Sequence, residues 1–74
     1  MSRVTSWEEY LTRLCLERWS LDPAATIQIM KCIDSLVAPG QVSDHSVATI
    51  LRRGGVAFPE ARSVAPSIRM AICA

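Results

Sequence analysis

Apolar residues recur at steps of three and four in four stretches of this chain, and three of those stretches open on a helix-start signal. In the first, Trp7, Tyr10, Leu11, Leu14, Cys15 and Trp19 form one stripe, with Leu16 widening it and Glu8, Glu9, Thr12, Arg13 and Glu17 off it. That spacing belongs to a helix with one face turned to a core. Ser6-Trp7-Glu8-Glu9 reads as a capping box, in which Ser6 accepts from the Glu9 N–H and the Glu9 carboxylate reaches back to the Ser6 N–H. The pattern predicts a helix from about Trp7 to Trp19.

The second stretch opens on Asp22-Pro23, a capping carboxylate before a proline whose missing N–H costs nothing at a first helical position. It predicts a helix over 23–37, closed by Pro39-Gly40. Ile27, Ile29, Met30, Cys32, Ile33, Leu36 and Val37 cover most of its circumference, leaving a narrow polar line of Gln28, Lys31 and Ser35. A helix apolar nearly all round belongs at the centre of a bundle or in an interface.

Ser43-Asp44 opens a third helix over 44–53, with Val47, Ala48, Ile50 and Leu51 inward and Gly54-Gly55 as a left-handed cap. The competing arrangement is a small β-hairpin across residues 47–58, turning at the glycine pair. In the fourth stretch Ala61, Val64, Ala65, Ile68 and Ile72 continue the helical spacing from Pro59, but Pro66 falls inside it. Proline there removes a backbone bond and crowds the Arg62 carbonyl. The expectation is a break near Ala65 with a new helix starting at Pro66. Ile68 and Ile72 should face the core near the first helix, with Met70 outside.

These elements predict a compact all-α bundle of four to five short helices, with the helix over 23–37 central and packed by the first helix and the C-terminal segment. The chain reads as one small helical domain, 1–74, or as the N-terminal domain of a longer chain. The expected core is Leu11, Leu14, Ile27, Met30, Ile33, Val37, Val47, Leu51, Val64 and Ile68.

Length and composition sharpen this picture. Seventy-four residues, 50% of them hydrophobic, suit a globular chain close to the lower limit for a self-sufficient core. Association, most simply a homodimer, is expected to supply the remaining stability. The net charge of +1 conceals an asymmetry. Residues 1–45 carry four cations against six anions, a charge of −2, whereas residues 46–74 carry Arg52, Arg53, Arg62 and Arg69 against Glu60 alone, +3. Cys15, Cys32 and Cys73 are odd in number and far apart, so reduced thiols in a cytoplasmic setting are expected. No signal peptide opens the chain, and no apolar run is long enough to span a membrane.

Candidate chemistry is sparse. His45 is the one histidine, with Asp44 as its close acidic neighbour, which is too little for a metal site. Cys32 with His45 lacks a third positioning group and an oxyanion hole. Arg52-Arg53-Gly54-Gly55 lies at a helix end, where arginines complement the dipole, rather than at a phosphate-binding helix start. A helix-turn-helix built on the third and fourth stretches is spoiled by Pro59 and Pro66, and its second helix lacks an Asn or Gln to read adenine. No residue motif carries a family resemblance.

No catalytic, cofactor-binding or metal residues are therefore assigned. The expectation is a non-enzymatic protein-interaction module, a small regulator or adaptor that self-associates. Its contact residues would be Trp7, Tyr10, Trp19, Arg52, Arg53, Arg62, Arg69 and Met70, types enriched at interface anchors or placed on the basic half. The alternative is a small nucleic-acid-binding regulator using Arg52, Arg53, Arg62 and Arg69.

Overall fold

Local capping chemistry sets the bounds of the two middle helices. The computed structural model describes residues 6–73, with Ser6 by its backbone alone. The expected Ser6–Glu9 capping box thus lies outside the described residues. Helix α1 runs Ser6–Arg13, α2 Pro23–Val37, α3 Asp44–Arg53 and α4 Phe58–Cys73. Asp22 accepts the Ala25 N–H at 2.8 Å to open α2. Ser43 accepts the Ser46 N–H at 3.1 Å while the Ser46 hydroxyl takes the Ser43 N–H at 3.0 Å, a reciprocal cap on α3.

Two helix ends use one geometry. After α2 the Gly40 N–H bonds the Val37 carbonyl and the Gln41 N–H the Leu36 carbonyl, with Gly40 at φ +71°. After α3 the Gly55 N–H bonds Arg52 and the Val56 N–H bonds Leu51, with Gly55 at φ +108°. This paired closure needs a left-handed residue, which glycine supplies without a steric penalty. The second closure seats buried Val56 beside buried Leu51. It settles residues 47–58 as a helix and a turn, and no strand occurs among the described residues.

The first helix is less regular than its stripe implies. Beyond Arg13 it widens into a π-helical turn over Leu14–Arg18, closed by Trp19 N–H to the Leu14 carbonyl at 2.9 Å. The Leu21 N–H then bonds the Cys15 carbonyl at 2.8 Å across Ser20, which takes φ +53°. Cys15 is fully buried, and Leu16 stays 44% exposed.

At Pro66 the expected break does not occur, because α4 continues through it to Cys73. Ala61, Val64, Ala65 and Ile68 are all buried on one face of this helix. Keeping that face continuous outweighs the roughly 3 kcal/mol that an interior proline costs.

The core also differs from expectation in its centre. Helix α4 packs on α3 and α1, whereas α2 packs on α3 and on the first helix with its π-helical turn. The C-terminal helix therefore rests chiefly on α3 and α1 rather than on α2. Leu11, Ile33, Val47, Leu51, Val64 and Ile68 are buried as predicted, and Leu14, Met30, Val37 and Ile72 pack partly buried against them. Ile27 is 55% exposed, contrary to its expected core position. Its place is taken by Ile29, which lies so close over Gly54 that a Cβ there would collide with its side chain.

Candidate interaction surfaces

The end of α3 and the start of α4 build one polar-aromatic face. Arg52 and Arg53 occupy the last turn of α3, where they complement its dipole. The Gly54-Gly55 closure then returns the chain so that Phe58, at the first position of α4, lies beside them. The Arg52 guanidinium sits over the Phe58 ring, 4.9 Å from its centroid, yet the phenylalanine remains 50% exposed. This is a cation–π contact at an open site.

Two depressions share Phe58 as a wall. One, of about 550 Å³, is lined by Asp44, His45, Ala48, Arg62 and Pro66 between α3 and α4. The other, of about 460 Å³, is lined by Thr49, Arg52, Arg53 and Val56. Among the described residues Arg52, Arg53 and Arg62 have no carboxylate within ion-pair distance. The acids nearby are already engaged. Asp44 pairs with Arg69 and raises the guanidinium pKa further, so Arg69 is neutralised at the edge of this face. Glu60 points elsewhere: its Oε2 accepts from Trp19 Nε1 at 2.9 Å and from Arg18 Nε at 2.6 Å. These donors, the indole first, hold the Glu60 carboxyl below its ordinary pKa.

A second surface lies across the first helix and α2. Leu16 and Ile27, both substantially exposed, line a groove of about 400 Å³ together with Thr12, Pro23, Met30 and Lys31. Leu16 also walls an adjoining depression of about 350 Å³ bordered by Glu8, Glu9, Arg13 and Glu17. Leu16 lies off the stripe that carries Leu11 and Cys15 inward, and it stays substantially exposed.

The residues expected at an interface are thus divided by the fold. Arg52, Arg53 and Arg62 come together around Phe58, with Arg69 at the margin. Trp7 is 7% exposed and belongs to the domain's own core. Trp19 is half-buried, and its indole N–H is spent on Glu60. Tyr10 and Met70 are exposed, at 39% and 63%, but line neither groove.

Sequence reasoning missed Phe58, Leu16 and Ile27 as surface residues. Phe58 continues the Ala61-Ala65-Ile68 stripe at helical spacing, so pattern alone turns it inward. A weak signal was present, since Phe58 is the chain's one phenylalanine and lies between a glycine pair and a proline, where loops surface.

Burial pushes the Cys15 thiol pKa up, against a smaller lowering by Thr26, which opposes thiolate formation. Among the described residues no three His, Cys, Asp or Glu side chains converge as a metal site requires. No helix among them is long and apolar enough to cross a membrane. Comparison with protein-family models, curated proteins and solved structures finds no match to this chain.

Proposed function

We propose that this chain is a non-enzymatic protein-interaction module, a small adaptor or regulator, whose docking face is centred on Phe58. The observation carrying this reading is the half-exposed Phe58 under Arg52, flanked by Arg53 and Arg62, which have no carboxylate partner among the described residues. An aromatic with arginines around it is the composition of an interface anchor. The partner surface it fits is acidic with an apolar side chain at its middle. Three free thiols, Cys15, Cys32 and Cys73, support placing the protein in a reducing, cytoplasmic setting.

Nucleic acid is the second reading, because the same guanidinium groups can clamp phosphates. It is less well supported. One aromatic, already covered on one face by Arg52, is a poor platform for stacked bases. Three arginines also give a short phosphate footprint.

Titration with a leucine-containing polyglutamate peptide and with an oligothymidylate tests the choice. The peptide should bind, and Phe58→Ala should weaken it by about tenfold or more, the scale of an anchor residue. Contact with three phosphates of a single strand would instead lose about 20-fold in affinity between 50 and 200 mM salt. Tighter oligothymidylate binding with that salt slope, unaffected by Phe58→Ala, overturns the protein-docking reading.

A further inference from the structure

The two surfaces match each other. One presents an apolar knob, Phe58, ringed by Arg52, Arg53 and Arg62. The other presents an apolar groove between Leu16 and Ile27, and Leu16 separates it from the depression that Glu9 and Glu17 border. Among the described residues Glu9 and Glu17 form no ion pair. A groove of about 400 Å³ has room for a phenyl ring, since an apolar cavity of about 150 Å³ already admits benzene. The cations on this side are Lys31, which lines the groove, and Arg13, which lines the depression with Glu9 and Glu17.

Resting on the reading of Phe58 as a docking centre, we propose that its partner is a second copy of this chain, bound head to tail. Phe58 of one protomer enters the Leu16–Ile27 groove of the next, with the arginines facing Glu9 and Glu17. Both patches exist on every copy and share no residue. Bound head to tail, the contact is heterologous, and each bound pair leaves one knob and one groove free. Such a contact continues past a dimer. A net charge of only +1 leaves little overall repulsion against it.

Mass measurement by sedimentation tests the proposal. At about 10 mM salt, where charges act over about 30 Å, the average mass should climb past two protomers as concentration rises. At about 1 M salt, with screening within about 3 Å, it should fall toward one. Phe58→Ala and Ile27→Glu alter exposed side chains, so each variant should keep the wild-type melting temperature while remaining monomeric. Mixed in equal amounts they should form a dimer and nothing larger, because one contributes an intact groove and the other an intact knob.

A wild-type protein that stays monomeric at low salt overturns self-association, while peptide binding to Phe58 stands or falls on its own titration. A mixture of the two variants that fails to dimerise overturns the knob-and-groove assignment. Wild-type assembly that stops at two protomers overturns the head-to-tail geometry.

Discussion

Helices α2 and α4 exchange the roles their sequences suggest. Helix α2 is apolar nearly all round, yet only Thr26, Ile29 and Ile33 are buried in it, and Ile27 stands in solvent. Helix α4 carries a proline at its middle, yet it runs unbroken and buries Ala61, Val64, Ala65 and Ile68. The difference teaches that apolar content measures how much surface a helix can bury, while how extensively its neighbours cover it decides how much it does. Helix α4 has α3 along one side and α1 along another. The surplus on α2 remains exposed.

The largest expected effect is the contrast between two isoleucines. Ile68→Ala in α4 should cost about 2–5 kcal/mol, the usual loss for a fully buried side chain, and should leave so small a domain largely unfolded. Ile27→Ala in α2 should change stability by no more than about 0.5 kcal/mol. Urea unfolding of both variants, done at high salt to suppress association, reads this directly. Equal losses would mean that Ile27 is buried in solution and that the two helices share the core evenly.

A smaller effect is expected at Pro66. Pro66→Ala restores a backbone donor toward the Arg62 carbonyl, and the gain is partly offset by a more flexible unfolded chain. Stability should rise by about 1–2 kcal/mol, visible as a higher urea midpoint with an unchanged slope. A loss of stability instead would assign the proline ring a packing role in the α3–α4 depression that exceeds its backbone cost.

The finest distinction concerns the polar tie that α4 has through Glu60. Trp19 and then Arg18 favour the charged carboxylate in the folded state, so its folded pKa lies below the ordinary 4.5. The sign follows: this contribution is complete above the ordinary value and disappears as pH falls through the folded one. Melting temperature should drop more steeply below about pH 4.5 in wild type than in Glu60→Gln, which has no proton to take up. Parallel curves would show that the tie holds no stability.

Much of the fold was legible. The bounds of α2 and α3 follow from Asp22-Pro23, Ser43 and the glycines at 40, 54 and 55, because caps and left-handed turns are local chemistry with few alternatives. The π-helical turn was not legible. It changes how tightly residues 14–18 wind without changing their apolar spacing. The candidate site was half legible. The arginine-rich half was visible as charge, but its centre, Phe58, lies on a stripe that pattern alone turns inward.

By itself the sequence determined that this chain is helical, where α2 and α3 begin, and that acidic and basic residues fall in different halves. Those properties depend on near neighbours and on composition. Tertiary structure alone decided which helix carries the core, that α4 survives Pro66, and that Phe58, Leu16 and Ile27 face outward. Such outcomes depend on which surfaces meet across the fold, and burial free energy is assigned only once they do.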